Sequence, residues 1–448
     1  MISSSNKIGR RCNYSRINGG TTMYKDLKAL GSHKAYRNML IARTISRFGD
    51  SIDVVAFSWL VYEITGSAAL LGVVYILNIL PNLILSPFIG PLVNYLPTKP
   101  LLVIGDALRG VFVIIIAALY MTGLLEPWHL YLLTLLTSTV EVFAMAAKGA
   151  IFQLTLPDEL YMKANSIGNS IVQTAQLIGF ALAGGVVAIL GVEVAFLIDA
   201  ATFLISALMI LVTLLPNRPI RKFENGDYLE SLKSGYRFIL NDKTLVSILG
   251  LCLVFNFLIT PINALLPVYV KETLSATASA IGILSVAITV GSLLGGLVVN
   301  HFGERYTPYQ CLIVPLVGVG VLYAGLSLPL VVHFLPAVLI ASLSFFVIGL
   351  MLPFVNVLLS TYMMKRTPNE IIAHVGGLVG MVVMVSNPIG AGFFGLISDK
   401  MNIGTLFVYN GIAMVAFTLL FATFKTIRKL NAYASINDIP GIKQNEAA

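Results

Sequence analysis

The sequence has little charge: Asp, Glu, Lys and Arg make up only 11% of its 448 residues. A soluble domain carries about 25% of such residues, so the composition excludes an ordinary water-soluble protein. Hydrophobic residues reach 57% of the chain, and the mean hydropathy is +0.87. We therefore expect most of the chain to lie in a lipid bilayer.

Cysteine and catalytic motifs are also scarce. The chain has three cysteines, an odd number, and Cys252 and Cys311 fall in or beside apolar segments, which argues against a disulfide framework. It has no Gly-Lys-Ser/Thr loop that would cradle the phosphates of ATP. Its five histidines lack metal-ligand spacing and are expected to be solvated or interfacial. We expect no enzyme activity, no metal site and no cofactor.

Apolar runs of about 20 residues, the length that crosses a bilayer as a helix, occur twelve times. Each run must be helical, because an open strand edge in lipid leaves backbone groups unpaired. The predicted fold is an all-α polytopic membrane protein with two six-helix bundles. Its predicted parts are a basic tail (1–35), an N-terminal bundle (36–216), a cytoplasmic central loop (217–244), a C-terminal bundle (245–428) and a second tail (429–448).

The two bundles are a repeat. The stretch Gly90-Pro91-Leu92-Val93-Asn94 is echoed 206 positions later by Gly296-Leu297-Val298-Val299-Asn300. A second pair, Pro157-Asp158-Glu159 and Pro368-Asn369-Glu370, lies 211 positions apart. Nearly equal offsets indicate one half-molecule written twice, and many membrane transporters are built from repeats that rock about a site between them.

The loop cations predict the orientation. If the N-terminus is inside, the loops expected outside hold only Lys271 and Lys400, and the other loop cations lie inside, as the positive-inside rule requires. We therefore expect both termini to be cytoplasmic. The net charge of +8 then reflects the membrane topology and contact with anionic lipid, and we do not expect it to serve nucleic-acid binding.

Twelve helices as six plus six, with a Gly-x-x-x-Asn turn after the second and eighth, resemble the major facilitator superfamily. The family pattern at the first turn is Gly-x-Leu-Ala-Asp-Arg-x-Gly-Arg-Lys; Gly90, Leu92 and Lys99 match it, whereas Asn94 stands at the acidic position. The second copy departs from it in the same way. The residues that the resemblance implies for gating are Gly90, Asn94, Lys99, Asp106, Arg109, Gly296, Asn300 and Arg305.

Three segments resemble bacterial exporters of the macrolide and catechol-siderophore type: Phe48-Gly49-Asp50, residues 59–67 and Asp106-Ala107-Leu108-Arg109. The resemblance implies a monomeric antiporter of the cell membrane that exchanges protons for an amphipathic, cationic small molecule, either a drug or a siderophore-like compound. Two alternatives stay open on the same scaffold, a proton-coupled importer or symporter and a lysophospholipid flippase.

Charges inside the apolar runs point to the coupling residues, because each costs about 2.5–3.5 kcal/mol at mid-bilayer. In the first helix Arg47 and Asp50 are three residues apart and can pair, so Asp50 has a structural reading beside the functional one. Asp53 lies one turn deeper with no cation three or four residues away. A buried carboxyl group without a cationic partner suits a proton carrier, and the alternative role for Asp53 is helix packing or hydrogen bonding.

The remaining intramembrane charges lie in the next helices. Glu141 has no cation one turn away, and Lys148 follows two turns later on roughly the same face, which would suit a protonation switch. The alternative is that Lys148 reaches the cytoplasmic surface while Glu141 pairs with another helix. Asp106 and Arg109 are expected to pair with each other and brace the gate, and Asp199 is expected to be structural.

The C-terminal half has no acid in its apolar runs except Asp399, at the outer edge of the eleventh helix. We therefore expect the coupling residues in the N-terminal half and neutral hydrogen bonds from the other. A cavity with Asp53 and Glu141 on one wall would favour a cationic amphipathic solute. Aromatic residues expected nearby are Trp59, Tyr62, Tyr75 and Phe143.

Small residues four apart occur in the second, fifth, eighth and eleventh helices, where they allow close backbone approach. In the resembled fold these four helices form the contacts between the halves. The pairs are Ser86/Gly90, Gly179/Ala183, Gly291/Gly295 and Gly376/Gly380.

The first 22 residues are basic and rich in Ser and Asn, without the apolar core of a signal peptide. Gly19-Gly20 followed two residues later by Met23 is compatible with a ribosome-binding site read as protein. We expect translation to begin at Met23, and an intact mass of the native protein that includes residues 1–22 would reject this.

The asparagines at the acidic positions predict a weakened inner gate. A carboxylate near a helix N-terminus contributes about 0.3–1 kcal/mol when exposed and up to about 2 when partly buried, and Asn94 supplies no net charge. Asn94→Asp should therefore raise the outward-open population by a factor of roughly two to thirty. The measurement is the accessibility of a cysteine probe on the external side of the first or seventh helix. An unchanged or lower accessibility would refute the argument and indicate that Asp158, Glu159 or Glu370 already supplies the charge.

Overall fold

A computed structural model describes residues 30–93, 96–152, 154–157, 160–215, 236–302, 305–331, 335–368 and 372–432. The twelve predicted spans are helical there. They are α1 (Lys34–Thr65), α2 (Ala68–Leu92), α3 (Thr98–Met121), α4 (Pro127–Phe152), α5 (Tyr161–Leu190), α6 (Val192–Val212), α7 (Lys243–Ala264), α8 (Ala278–Phe302), α9 (Pro308–Gly325), α10 (Ala337–Arg366), α11 (Ile372–Ser398) and α12 (Ile403–Ala422).

Eleven of these helices are long and apolar enough to cross a membrane, and α1 is the exception because of its charges. Helix α1 packs mainly on α5 and α6, so protein surrounds much of its charged stretch. Most of the predicted tails and most of the predicted central loop lie outside the described residues; α6 ends at Val212, and α7 begins at Lys243.

The helices group into two bundles in the order of the repeat. In the described N-terminal half, α1 packs on α5 and α6, α3 on α4 and α6, and α2 on α4. In the C-terminal half, α8 packs on α10, α9 on α10 and α12, and α7 on α11. The most extensive contacts between the halves are α2 with α11 and α5 with α8. These are the four helices expected to meet.

Glycines outside the predicted pairs allow close approach between these helices. A Cβ on Gly72 of α2 would lie 2.5 Å from the Ala391 carbonyl oxygen of α11, and one on Gly282 of α8 would lie 2.5 Å from the Phe180 carbonyl oxygen of α5. The predicted glycines that pack closely do so within one half. Gly179 faces the Phe48 carbonyl of α1, and Gly291 and Gly295 face α10. The spacing indicates close packing but not the partner helix.

The halves meet at the end of the molecule where α1 turns into α2. Gly66 ends α1 in the left-handed region, with φ of 61°, and its N–H donates to the Tyr62 carbonyl. Asp399, just after α11, accepts hydrogen bonds from the Ala68 N–H at 2.7 Å and the Ser67 hydroxyl at 2.9 Å. A carboxylate of the C-terminal half thus caps the first turn of a helix in the N-terminal half.

A second polar contact closes the same end. After Ala264 the chain continues as a short turn (Leu266–Val268) and a π turn (Tyr269–Thr273). The hydroxyl of Tyr62 donates to Glu272 Oε1 at 2.7 Å, across the two halves. The Nζ of Lys271 lies 5.3 Å from the centre of the Tyr62 ring, within the range of a cation–π contact.

The opposite end is open among the described residues. A Cβ on Gly296 of α8, or on Gly377 or Gly380 of α11, would have no atom of another element within 4 Å. Of the Gly376/Gly380 pair that was expected to bring the halves together, Gly380 faces open space, and a Cβ on Gly376 would contact only Met363 of α10, in the same half, at 3.8 Å. Asn300 is exposed at this end, and Asn94 lies outside the described residues.

Asp399→Asn should weaken the closed end. The substitution removes the charge that faces the α2 N-terminus and one of its acceptor oxygens, a loss of about 1–2 kcal/mol. The ratio of closed to open molecules should fall about fivefold to thirtyfold. The measurement is the rate at which a membrane-impermeant maleimide, added from that side, labels Ser58→Cys, because Ser58 lines a cavity between the two halves.

Glu126→Gln is the matched control, because Glu126 lies in the α3–α4 connection and accepts from Trp128 of the same half. Equal labelling rates in wild type and Asp399→Asn would show that the cap does not hold this end closed.

Candidate functional site

The charged side chains of the N-terminal half converge on Arg109 of α3. Its Nη2 lies 3.0 Å from Asp50 Oδ1 of α1 and 3.9 Å from Glu141 Oε1 of α4. Asp50 also pairs with Arg47, at 3.6 Å, as the spacing predicts. Glu141 therefore has a cationic partner from another helix, which was the alternative reading, and the view of it as an isolated acid is wrong.

The guanidinium of Arg109 is enclosed between helices. It lies 4.1 Å from the centre of the Phe203 ring of α6, and the side chain is only 9% exposed. The adjacent Gly110 allows close packing of α3 on α6, because a Cβ there would lie 3.2 Å from the Leu204 side chain and 3.3 Å from the Ala200 carbonyl oxygen of α6. The aromatic ring and the two carboxylates together stabilise the positive charge of Arg109, which lipid would not stabilise.

Asp106 does not pair with Arg109, contrary to the expectation from their spacing. Its carboxylate accepts from Lys148 Nζ at 3.3 Å and from the Ser206 hydroxyl at 2.6 Å. The Asp106 side chain is 0% exposed. The two residues are one turn apart on α3, but each finds a closer partner on a neighbouring helix. Lys148 thus ties α4 to α3 and is paired within the bundle.

Asp199 of α6 lies deeper, 1% exposed. Its Oδ1 is 3.5 Å from the Thr202 hydroxyl, and it lies against Gly49 of α1, where a Cβ would be 2.6 Å from that oxygen. This contact gives a physical reason for glycine in Phe48-Gly49-Asp50. The packing is compatible with the structural role expected for Asp199.

Asp53 faces a different space. It lines a cavity of about 380 Å³ between the halves, with residues of α1, α2, α5, α7, α8 and α10 on its walls. Within the described residues Asp53 has no ion-pair or hydrogen-bond partner and is the one charged residue of the lining. The other walls are apolar, aromatic or neutral polar. Prominent among them are Phe57, Tyr75, Asn78, Phe180, Asn263 and Phe345.

The aromatic residues expected at this cavity are mostly elsewhere. Only Tyr75 lines it. Trp59 and Tyr62 lie near Lys271 at the closed end, and Phe143 packs with Val142 near the end of α2. Glu141 does not share the cavity with Asp53 either; it lines a second cavity inside the N-terminal half. Phe57, Phe180 and Phe345 were not foreseen, because helix phase is difficult to read in runs that are apolar on all sides.

Two other expected gating residues lie at helix ends. Lys99 is half-buried at the start of α3, and Arg305 is exposed after α8. No group of three or more His, Cys, Asp or Glu residues in the described chain could hold a metal ion. Cys252 and Cys311 are free and buried.

Comparison with known proteins places this geometry in a family context. A family model described as the Major Facilitator Superfamily matches residues 39–391. Macrolide efflux protein A of Streptococcus pyogenes is 24% identical over 399 residues, 87% of this chain and 95% of that protein. Multidrug efflux pump Tap of Mycolicibacterium fortuitum is 24% identical over 407 residues, 88% of this chain and 96% of the pump.

Solved structures share the fold. A bacterial homologue of the human lysosomal transporter Spinster, in an inward-facing and unoccupied conformation, superimposes with a TM-score of 0.68 at 14% identity, covering 90% of this chain and 97% of that one. A single-residue mutant of the nucleoside transporter NupG gives a TM-score of 0.67 at 16% identity, covering 88% of this chain and 99% of that one.

Arg109→Ala should destabilise the N-terminal half strongly, because it leaves Glu141 without a cation among the described residues and Asp50 with only the more exposed Arg47. Removing one partner of a buried ion pair costs about 3–5 kcal/mol. The thermal unfolding midpoint of the detergent-purified protein should fall, and the double variant Arg109→Ala/Asp50→Asn should recover part of the loss. Arg428→Ala, which removes a guanidinium that donates to the Ala422 carbonyl, is the control. Equal midpoints for the Arg109 and Arg428 variants would contradict the central role of Arg109.

Proposed function

The chain belongs to the major facilitator superfamily, a family of membrane transporters of small substrates and not of enzymes, and from that premise we propose that it is a proton-coupled exporter. It would exchange protons for an amphipathic, cationic small molecule by alternating access of the two bundles. The alternatives are a proton-coupled importer or symporter and a lysophospholipid flippase.

The observation that carries the proposal is the position of Asp53. It is a carboxyl group in the cavity between the halves, and among the described residues it has no cationic partner. Three other carboxyl groups of this half, those of Asp50, Asp106 and Glu141, are held by cations. A carboxyl group that alternately binds a proton and a cationic solute couples the two, since both neutralise the same charge.

The walls of this cavity support an amphipathic solute. Phe57, Phe180 and Phe345 offer aromatic surface, and the polar groups of the C-terminal half are neutral, such as Asn263 and Ser285. Aromatic faces attract cations, and apolar walls bind an apolar body. The volume of about 380 Å³ falls in the range of small-molecule sites.

Export is favoured over import by the relatives of the chain. Macrolide efflux protein A and Multidrug efflux pump Tap are named for efflux, and each aligns over most of this chain. We propose that the protein lies in the cell membrane as a monomer with both termini cytoplasmic. In that orientation the closed end, with Asp399 and Glu272, faces outward, and the open end admits solute from the cytoplasm.

Everted vesicles with an imposed pH gradient test the direction. The proposal expects an acid-inside gradient to drive a lipophilic cation into vesicles that contain the protein and not into empty ones. A substrate panel from a susceptibility comparison of deletion and overexpression strains would supply the solute. Accumulation only with the opposite gradient would favour the importer, and transbilayer movement of a labelled lysophospholipid without solute transport would favour the flippase.

Asp53→Asn should abolish proton-driven transport while the protein stays folded in the membrane. The substitution keeps the size of the side chain but removes the group that binds the proton. The measurement is solute accumulation in everted vesicles over a range of pH, with the amount of protein normalised. Wild-type accumulation in the variant would reject Asp53 as the coupling residue.

Glu141→Gln is the matched comparison. Glu141 is 32% exposed and lies 3.9 Å from Arg109, which keeps its bond to Asp50 in the variant. A coupling role for Glu141 predicts loss of transport or a shifted pH optimum. An unchanged pH profile would make it a structural residue and leave Asp53 as the coupling group.

A further inference from the structure

A second cavity, of about 410 Å³, lies inside the N-terminal half between α1, α3, α4, α5 and α6. Its lining includes Asp50 and Arg109 but not Asp53, which lines the cavity between the two halves. Apolar side chains, among them Met39, Leu40 and Phe152, form part of its wall. Its volume is that of a small-molecule site, and the proton exchange proposed at Asp53 does not use it.

The charges on the wall of this cavity are not balanced. Its charged lining residues are four cations and two carboxylates: Arg43, Arg47, Arg109, Lys148, Asp50 and Glu141. The two carboxylates are already engaged by arginines, and Lys148 pairs with Asp106 behind the wall. Three of the four cations therefore have a carboxylate partner in the described structure.

Arg43 is the cation that has none. It is an exposed residue whose Nη2 donates to Asn169 Oδ1 of α5 at 3.3 Å, a neutral partner, and no carboxylate among the described residues lies within ion-pair distance. The charged group that acts on it most is Arg47, one turn further along α1 and of the same sign. Two guanidinium groups beside an apolar cavity leave donors for a planar or tetrahedral anion.

We propose that this cavity is an anion-binding subsite, in which Arg43, assisted by Arg47, holds the carboxylate, sulfonate or phosphate group of an amphipathic solute. The inference rests on the proposed transport function and narrows its substrate class. Arg43 lies ten residues before Asp53, about 15 Å along α1. An acidic group held at Arg43 is therefore separate from a basic group held at Asp53, and a solute that engages both residues is an elongated zwitterion.

The test uses two fluorescent probes with the same skeleton: anilinonaphthalene sulfonate, which is anionic, and phenylnaphthylamine, which lacks the sulfonate. Purified protein in nanodiscs of zwitterionic lipid is titrated with each, and the signal of empty nanodiscs is subtracted. Wild type should bind the anion saturably. Arg43→Gln should weaken its binding about tenfold, the loss of one charge-assisted contact, and leave the neutral probe unchanged.

Arg37→Gln is the control, because Arg37 donates to the Gly31 carbonyl near the start of the same helix and does not line the cavity. It should leave both probes unchanged. Equal binding of the anion to wild type and Arg43→Gln, or equal weakening of both probes by Arg43→Gln, would overturn the subsite.

Raising the fraction of phosphatidylglycerol in the nanodiscs identifies the natural source of the anion. If a lipid headgroup occupies the subsite, added phosphatidylglycerol lowers the affinity for the sulfonate more in wild type than in Arg43→Gln. If a soluble solute occupies it, added phosphatidylglycerol lowers the affinity of both proteins equally. The two proposals fail separately. Asp53→Asn should lose proton-driven transport but retain sulfonate binding. Arg43→Gln should lose sulfonate binding but retain proton-driven transport of a cation that has no acidic group.

Discussion

The guanidinium of Arg109 interacts with carboxyl groups on three helices, and the N-terminal half is organised around it. Asp50 and Glu141 lie within 4 Å of it, and Asp199 and Asp106 add to the field that acts on it. An ion in lipid is costly unless it is paired, so these partners cannot separate without a large loss of free energy. The network therefore ties α1, α3, α4 and α6 together.

The contacts between the halves are of another kind. They include glycines against backbone carbonyls and, at one end, the Tyr62–Glu272 and Asp399–α2 hydrogen bonds and the Lys271–Tyr62 contact. Each can be exchanged for water where the end opens, at a small net cost. Strong buried pairs inside a half and weak, hydratable contacts between halves are what rocking of two rigid bundles requires. The intramembrane acids, which the sequence places mainly in the N-terminal half, thus form the strong buried pairs inside that half.

The sequence predicts the fold better than the site, for physical reasons. The number of helices follows largely from the apolar runs, because a run of about 20 residues satisfies its backbone hydrogen bonds in lipid as a helix. Helix α1, with its charges, is the exception. The local Arg47–Asp50 pair was predictable from its spacing. The partners of Asp106, Arg109 and Glu141 come from other helices, so spacing along one helix did not identify them. The contacts that Asp399 and Glu272 supply join positions more than 200 residues apart, and no local pattern encodes such a contact.

Asp50 and Asp53 stand three residues apart on α1, about 4.5 Å in rise, yet they serve two cavities. Asp50 is neutralised by arginines and lines the inner one, whereas Asp53 lines the space between the halves. In the proposed cycle a change of charge at Asp53 changes the electrostatic potential at Asp50, one turn of helix away, and at Arg109, which pairs with Asp50. Because Arg109 lies on α3 and also contacts α4, the loss of the neutralising proton or cation at Asp53 acts on the whole N-terminal half. In this cycle proton binding and solute transport are coupled without a rearrangement inside the N-terminal bundle, because the bundle moves as a whole relative to the C-terminal one.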